Sequence, residues 1–258
     1  MGPSGMKRKR HPIRIGEHLD SADAKRKLNK RLFTRIAREY RWMPAALSLG
    51  RDGFWKKRLV DVLPDWSTPS CVDIACGDGD LTRRLARRYP GGSILGIDLT
   101  PAMLCRARQF TTESNVRYAQ ADMASIGVAS DSVDVVTGGY ALRNAPDLDQ
   151  VIAEVARILR PGGYAGFLEF MRWPGPVSGR VEIASLWIWG AVWGVLLHRN
   201  ADVYAYIAES LRRFPTPNQL IERLDTQSLR LVCRIPCLFG VTAVLLFRKM
   251  PRGLEDRT

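Results

Sequence analysis

Apolar and polar residues alternate in two different rhythms between residues 71 and 170. Short apolar runs rich in β-branched residues, which are typical of buried strands, are separated by segments whose apolar positions recur three and four residues apart, as on one face of a helix. The predicted strands cover 71–76, 93–98, 116–122, 132–139 and 164–170, and the predicted helices cover 80–89, 100–110 and 148–159. This order predicts an α/β fold, in which a mostly parallel sheet carries helices on both faces.

The alternation breaks down on either side of this region. Residues 7–30 are polar and basic and predict a mobile tail, whereas apolar positions from Leu32 onward have helical spacing. Two strand-like runs near the C terminus predict an antiparallel hairpin that completes a sheet of seven strands. The predicted organisation is a basic tail at 1–30 (1–6 being an expression scar), one domain at 31–250 with a helical cap at 31–64 and a tryptophan-rich lid insertion at 171–217, and a polar C-terminal tail at 251–258.

The positive charge of the chain is concentrated at one end. Of 258 residues, 39 are Lys or Arg and 26 are Asp or Glu, which gives a formal net charge of +13. Residues 1–58 contain 17 of the basic and 5 of the acidic residues, so this stretch alone carries +12. Such an arm predicts attraction to lipid headgroups or to nucleic-acid phosphates, although solvated tails often have the same composition.

The cysteines and the N-terminal sequence indicate the cellular compartment of the protein. The five cysteines, an odd number, have no metal-binding spacing, which predicts free thiols, no metal site and a reducing compartment. No apolar stretch of the kind found in secretion signals is present near the N terminus. The sequence therefore predicts a cytoplasmic protein, with peripheral association on the inner face of a membrane as a further option.

A glycine turn directly follows the first predicted strand. In Asp73-x-x-x-Gly77-x-Gly79, the glycines allow a tight turn and a close approach of a ligand to the backbone. Nucleotide sites lie at the carboxyl ends of parallel strands, but the dinucleotide pattern requires a third glycine where Thr82 stands. The spacing therefore favours S-adenosylmethionine (SAM) over a nicotinamide cofactor, although many ordinary turns also contain two glycines in this arrangement.

Acidic residues end the next two predicted strands. Asp98 ends the second strand, where a carboxylate can accept hydrogen bonds from both ribose hydroxyls. Asp122 ends the third strand, where it can accept from an adenine amino group while Met123 covers the ring. A single acid after a strand is usually a turn residue, but the repetition of strand followed by acid predicts a nucleoside site.

These motifs and others, in this order, resemble the ubiquinone/menaquinone C-methyltransferase family (the UbiE/MenG group) of class I SAM-dependent methyltransferases. The resemblance rests on ALSLGRDGFWKK (46–57), VDIACGDGDLT (72–82), GIDLTPAML (96–104), YALRNAPDLDQVIAEVARILRPGG (140–163), EF (169–170) and YAYIAESLRRFP (204–215). It implies a Rossmann-like fold and a SAM site formed by Tyr40, Asp73, Gly77, Asp78, Gly79, Asp98, Leu99, Met103, Asp122 and Met123. The chain departs from the family's pattern at Arg41, Pro44 and Asp78, and the first two of these concern the acceptor side.

The resemblance also implies the reaction, which is methyl transfer to a ring carbon of a prenylated benzoquinol or naphthoquinol. It places Arg143 beside the acceptor, where a guanidinium can stabilise the phenolate of an ionised ring hydroxyl. Tyr140 and Asn144 are the expected positioning residues. A structural salt bridge from Arg143 to Asp147 or Glu169 is the alternative interpretation, and no residue is identified as the general base.

The acceptor and the partners remain open in several respects. The uncharged segment 183–197 contains three tryptophans and is too short to span a membrane; it predicts either a buried lid helix or a path for a polyprenyl tail at the bilayer interface. A nucleic-acid methyltransferase is disfavoured, because no Asn/Asp-Pro-Pro-aromatic motif follows the fourth strand. The alternatives are a natural-product C- or O-methyltransferase and a SAM-binding protein with an altered reaction. A homodimer is one option for the oligomeric state.

Overall fold

The computed structural model describes residues 21–37, 40, 44–45, 48–173, 175, 178–181, 183–185, 188 and 202–251. The strands in this part of the chain are β1 Ser70–Ile74, β2 Ser93–Asp98, β3 Val116–Gln120, β4 Val133–Gly139, β5 Leu159–Phe170, β6 Leu229–Cys237 and β7 Thr242–Lys249. They form one sheet in the order β3-β2-β1-β4-β5-β7-β6. Strands β1 to β5 pair in parallel, and β7 is antiparallel to both of its neighbours. The predicted fold class, with its C-terminal antiparallel hairpin, is confirmed.

Helices cover both faces of this sheet. The helices whose bounds lie within the described residues are α1 Ala22–Ile36, α2 Asp52–Asp61, α3 Asp80–Arg88, α4 Pro101–Phe110, α5 Leu148–Ile158, α6 Asp202–Arg212 and α7 Pro217–Asp225. Because successive side chains of a strand point to opposite faces, Val72 packs in the core cluster that includes α5 and α7, whereas Cys71 packs in the cluster that includes α2 and α3. The parallel strands therefore have apolar residues on both faces, which explains their nearly continuous apolar runs.

Helix α1 begins well before the predicted start. Residues 22–30 belong to this helix, so their assignment to the mobile tail is wrong. Ser21 is the N-cap, and its side chain accepts from the Ala24 N–H at 3.2 Å. Within 22–30 the buried residues are Leu28 and Asn29. Since one of the two is polar, this part of the helix lacks the apolar stripe on which the prediction depends.

Helix α7 lies in a stretch for which the apolar pattern predicts no element. The Gln219 side chain accepts from the Thr216 backbone N–H at 3.0 Å, as in a capping box, and Pro217 occupies the first turn. Leu220 and Leu224 are fully buried against the sheet. The Thr-Pro-Asn-Gln sequence at 216–219 is the signal that indicates this helix.

Much of the predicted lid insertion lies outside the described residues. Residues 189–201 of this insertion, which include Trp189 and His198, are not described. Arg41, which belongs to the predicted helical cap, also lies outside the described residues. Among the residues that are described, no helix is long and apolar enough to cross a bilayer. The roles predicted for the basic tail at 1–20 and for most of 183–197 remain predictions.

Candidate functional site

A sharp turn joins β1 to α3 where the strand order reverses. Strands β2 and β4 lie on either side of β1, so their carboxyl ends open a crevice at this turn. Ala75 (φ 49°) and Gly77 (φ 57°) both adopt left-handed backbone conformations. A Cβ atom at position 77 would lie 3.2 Å from a ring carbon of Tyr40. At position 77, therefore, only glycine keeps the backbone bare and unstrained.

Asp98 ends β2 beside this turn. Its Oδ2 accepts from the Gly77 N–H at 3.0 Å, and its Oδ1 accepts from the Thr100 N–H at 2.8 Å. Burial raises the pKa of Asp98 above its ordinary value, and the backbone N–H groups oppose that shift. Each carboxylate oxygen can accept a second hydrogen bond, so Asp98 retains acceptor capacity toward a ligand.

These residues line a first cavity of about 630 Å³, its open mouth included. Most of the predicted site residues line it, namely Tyr40, Gly77, Asp98, Leu99, Met103, Asp122, Met123, Tyr140 and Asn144. The remaining lining residues are Asn29, Phe33, Ala75, Thr100, Ala121, Gly139 and Pro146. The wall thus combines two carboxylates, small residues and apolar side chains, a combination suited to a nucleoside.

Asp122 is held by the helix that covers the site. The Arg26 Nε on α1 donates to Asp122 Oδ2 at 2.5 Å, while Asp122 Oδ1 accepts from the Ala124 N–H at 2.9 Å. The hydrogen bond to Asp122 raises the pKa of Arg26. This ion pair ties α1 to Asp122 in the wall of the first cavity.

Asp73 lies behind the turn and does not line the cavity. It is fully buried and accepts from the Thr82 hydroxyl at 2.6 Å and from the Thr137 hydroxyl at 2.9 Å. Burial raises the pKa of Asp73 to about 7, although both hydroxyls lower it. Asp73 therefore links β1 to α3 and β4. Thr82 stands where the dinucleotide-binding pattern has its third glycine, and here its hydroxyl donates to Asp73.

Gly79 and Asp78 are not among the residues that line the first cavity. Gly79 has φ 78°, and a Cβ atom there would overlap the hydroxyl of Tyr118 on β3. The Asp78 carbonyl accepts from Arg83 Nη1 at 2.7 Å. Gly79 therefore shapes the turn, and the ligand contacts predicted for Asp78 and Gly79 remain predictions.

A second cavity, of about 650 Å³ with its open mouth, adjoins the first. Phe33, Tyr40, Tyr140 and Asn144 line both cavities and form the boundary between them. The other residues that line the second cavity are Leu32, Pro44, Ser48, Trp55, Arg143, Phe170, Tyr206, Ile207, Leu238 and Thr242. Among these described residues, Arg143 has the only charged side chain.

Arg143 lies in the short helical turn Leu142–Asn144 that follows β4. Its side chain is buried, and Nη1 donates to the Ser210 hydroxyl of α6. The guanidinium lies over the rings of Phe170 and Tyr206, with centroid distances of 5.3 and 5.9 Å. Its Nε is buried and has no hydrogen-bond partner within the described structure. Arg143 is therefore held rigidly while part of its donor capacity is unused.

Glu169 supports this turn through the backbone. Its Oε2 accepts from the Arg143 N–H at 3.2 Å, and its Oε1 accepts from the Phe170 N–H at 3.0 Å. Burial raises the pKa of Glu169, and the charge of Arg143 opposes that shift. The predicted alternative, a salt bridge from the Arg143 guanidinium to Asp147 or Glu169, does not occur among the described residues. Asp147 instead caps α5.

Asn144 is locked between three elements. Its Nδ2 donates to the Tyr140 carbonyl at 2.8 Å, and its own carbonyl accepts from Asn29 Nδ2 at 2.8 Å. The Tyr206 hydroxyl lies 2.6 and 3.0 Å from the Oδ1 atoms of Asn29 and Asn144. Asn144 thus joins the loop after β4 to α1 and α6, and its role in positioning the acceptor remains a prediction.

The main omissions from the sequence-based site are the residues that α1 and α6 contribute. Asn29 and Tyr206 are both buried in the network around Asn144. The cap at Ser21 is the sequence signal that could have extended α1 and so brought Asn29 to the site. No local signal pairs Tyr206 with Asn29, because this contact depends on the packing of two distant helices.

Comparisons with known proteins find relatives over most of the chain. The model of the ubiE/COQ5 methyltransferase family matches residues 20–246. A demethylmenaquinone methyltransferase of Lactobacillus johnsonii is 31% identical, over 83% of this chain and 89% of its own. A 2-phytyl-1,4-naphtoquinone methyltransferase of Thermosynechococcus vestitus is 34% identical, over 84% of this chain and 97% of its own.

A solved structure shares the fold. A methyltransferase in complex with the Haloferax volcanii Trm112 methyltransferase activator has a TM-score of 0.62 at 18% identity, over 85% of this chain and 98% of that one. At this identity the likeness concerns the fold alone. Together with the family match over most of the chain, these findings show that the protein is a SAM-dependent methyltransferase and belongs to the ubiE/COQ5 methyltransferase family.

Proposed function

We propose that this enzyme transfers a methyl group from SAM to a ring carbon of a prenylated benzoquinol or naphthoquinol, as a step of quinone biosynthesis. The observation that carries the proposal is the second cavity, an apolar chamber with one buried arginine that directly adjoins a cavity suited to a nucleoside. The names of the two relatives, methyltransferases for demethylmenaquinone and for 2-phytyl-1,4-naphtoquinone, support an acceptor of this class.

The first cavity fits SAM. Asp98 would hold the ribose hydroxyls, since both of its oxygens can accept beyond their backbone bonds. The bare backbone at Gly77 would allow the nucleoside to approach, and Asp122 and Met123, which line the same cavity, would contact the adenine. When bound, SAM supplies a methyl group on a sulfonium, so the protein need not create the electrophile.

The second cavity fits a quinol ring and the first part of its tail. Its walls are largely apolar, as a hydrophobic ligand requires. Two buried polar atoms of its lining residues, Arg143 Nε and Thr242 Oγ1, lack a partner within the described structure. A buried group left unpaired costs about 1–3 kcal/mol. A ligand that carries two ring oxygens, as a quinol does, could offer partners to both residues.

Arg143 would act on the ring oxygen. Ionisation of a ring hydroxyl makes the neighbouring ring carbon nucleophilic, and a fixed guanidinium stabilises the resulting phenolate. Ser210, Phe170 and Tyr206 hold the guanidinium, so little reorganisation is needed during the reaction. The residues between the two cavities (Phe33, Tyr40, Tyr140 and Asn144) would hold the ring carbon about 3 Å from the methyl group. This positioning of the two reactants supplies a large share of the rate enhancement.

A methyl-transfer assay tests this function. The purified enzyme, incubated with methyl-labelled SAM and a short-tailed 2-prenyl-1,4-naphthoquinol, is expected to give a product labelled on the ring carbon, as located by NMR and mass spectrometry. The matched control is the same quinol already methylated at that carbon, which should remain unlabelled. A label on the ring oxygen would instead identify an O-methyltransferase, and labelled nucleosides from added RNA would identify a nucleic-acid enzyme.

We further propose that the enzyme meets its acceptor on an anionic membrane surface. Phe239 is 96% exposed and Leu49 is 62% exposed, and both have φ 53°, which large side chains rarely adopt. Their chain neighbours Leu238 and Ser48 line the second cavity, so these exposed apolar side chains lie close to its walls. The net charge of +12 on residues 1–58 adds attraction to anionic lipid.

Vesicle binding tests the membrane proposal. Phe239→Asp is expected to weaken co-sedimentation with phosphatidylglycerol-containing vesicles about tenfold or more, since burial of a phenyl side chain is worth about 1.5–3 kcal/mol. Val232→Asp is the matched control, because Val232 is 53% exposed on β6 and does not line the second cavity. Equal losses in both variants, or binding that is insensitive to salt and to anionic lipid, would contradict the proposal.

A further inference from the structure

Tyr140 is fixed between the two cavities by a strained turn. It lines both cavities, and it is a non-glycine residue with φ 57°, a conformation that costs about 1–2 kcal/mol. Its backbone N–H donates to the Leu168 carbonyl at 2.7 Å, which anchors the turn to β5. Its hydroxyl donates to Asp52 Oδ1 on α2 at 2.9 Å. A phenol hydrogen-bonded to a buried carboxylate therefore lies where the acceptor ring would meet the methyl group.

Asp52 is held for this contact by a buried cation. It is 7% exposed, and its Oδ2 pairs with Lys56 Nζ at 2.8 Å, one helical turn further along α2. Lys56 also pairs with Asp80 at 3.2 Å. Burial lowers the pKa of Lys56, but the two carboxylates outweigh that effect and raise it above its ordinary value. Lys56 thus stays charged and fixes one oxygen of Asp52 while the other faces Tyr140.

The Tyr140 hydroxyl can pass a proton on without ionising. Burial, followed by the charge of Asp52, raises the pKa of Tyr140 well above its ordinary value. The phenol therefore keeps a proton, which it donates to Asp52, and its oxygen lone pairs remain able to accept from a ligand hydroxyl. The other titratable groups that act on Tyr140 are Glu169 and Tyr40. Glu169 is engaged by backbone N–H groups, so Asp52 is the carboxylate hydrogen-bonded to the phenol.

We propose that Asp52, acting through the Tyr140 hydroxyl, receives the proton of the acceptor's ring hydroxyl, an inference that rests on the proposed function. The O–H bond of the acceptor breaks and its proton passes to the Tyr140 oxygen, while the proton of Tyr140 passes to Asp52 Oδ1. The electron pair of the broken bond stays on the acceptor oxygen, where Arg143 stabilises it. Tyr140 touches the acceptor, and Asp52 is the positioning residue and proton store behind it.

Substitution of either residue tests this relay. With the short-tailed naphthoquinol, Asp52→Asn and Tyr140→Phe are each expected to lower kcat about 100-fold, the lower range for loss of acid–base catalysis. The double variant should lose no more than the larger single loss, because the two residues act as one unit. Asp61→Asn is the matched control: Asp61 lies on the same helix and bonds Lys57 at 2.7 Å, but it is 51% exposed and lines neither cavity. Its kcat should stay within about twofold of wild type.

A spectroscopic probe separates proton acceptance from mere structural support. The probe is 4-nitro-1-naphthol, whose anion absorbs visible light, bound in the absence of SAM. In the wild type the bound probe is expected to ionise at lower pH than the free probe. In Asp52→Asn and Tyr140→Phe the ionisation equilibrium of the bound probe should shift back about tenfold, the equivalent of one hydrogen bond. Asp61→Asn should match the wild type.

The outcomes distinguish this inference from the proposed function. Unchanged kcat and probe ionisation in Tyr140→Phe would overturn the relay, and so would a loss confined to Asp52→Asn. Tyr140→Phe leaves the Asp52–Lys56 ion pair intact. This variant therefore tests the relay even if Asp52→Asn fails to fold. If the wild type ionises the probe and the variants do not, but no quinol is methylated, the relay stands and the proposed acceptor is wrong.

Discussion

Replacing Arg143 with lysine is expected to lower kcat for the quinol acceptor about 10²–10³-fold, the loss typical of removing one oxyanion donor. Lysine keeps the charge, but it lacks the planar fork that donates to Ser210 and stacks on Phe170 and Tyr206. The affinity for SAM should hardly change, because Arg143 lines the second cavity and not the first. Steady-state kinetics and calorimetric titration with SAM measure the two quantities separately.

Arg160→Lys is the matched control for this change. The Arg160 guanidinium also lies over an aromatic ring, that of Trp66 at 5.2 Å, and pairs with Asp134 at 2.5 Å, but Arg160 lines neither cavity. Its kcat is expected to stay close to that of the wild type. An equal loss of SAM affinity and of kcat in Arg143→Lys would show that Arg143 supports the fold rather than the acceptor.

Gly77→Val is expected to weaken SAM binding about 100-fold or more, an effect of about 2.7 kcal/mol. Valine at φ 57° is strained, because a β-branched side chain is strongly disfavoured in the left-handed region. Its Cβ atom would also lie 3.2 Å from the Tyr40 ring and occupy the wall of the first cavity. Calorimetric titration with SAM measures the loss, and thermal unfolding shows whether the fold persists.

Gly127→Val separates backbone strain from loss of the site. Gly127 has φ 74°, and a Cβ atom there would meet nothing within 4 Å. This variant shares the conformational penalty, about 1–2 kcal/mol, but should bind SAM like the wild type. Wild-type affinity in Gly77→Val would remove the turn from the site, and parallel losses in both variants would point to general destabilisation.

The features that could be predicted from the sequence alone are those that depend on neighbouring residues in the chain. The strands, the glycine turn and the hairpin follow from apolar periodicity and from the glycines after β1, and these signals act over a few residues. Asp98 and Asp122 could be placed for the same reason, because a residue that ends a parallel strand, as Asp98 does, or closely follows one, as Asp122 follows β3, must lie at the carboxyl edge of the sheet. Family motifs then supplied Arg143, Tyr140 and Asn144 as a group.

Only the tertiary structure decided which partner each polar residue meets. The Asp73 carboxylate accepts hydrogen bonds from two buried threonine hydroxyls, one of them on β4. The Asp73-x-x-x-Gly77-x-Gly79 motif does not indicate these partners. The Arg143 guanidinium donates to Ser210 on α6 and not to the carboxylate of Asp147 or Glu169, because the packing of α6 brings the Ser210 hydroxyl to the guanidinium.

The same limit applies to the helices over the site. Asn29 reaches Asn144 only because α1 folds across the carboxyl edge of the sheet, and Tyr140 reaches Asp52 only because α2 packs beside β5. Sequence periodicity indicates which face of a helix is buried, but it does not indicate which distant element covers that face. Hydrogen bonds between such elements depend on the full three-dimensional packing, and for this protein they determine the geometry of the boundary between the two cavities.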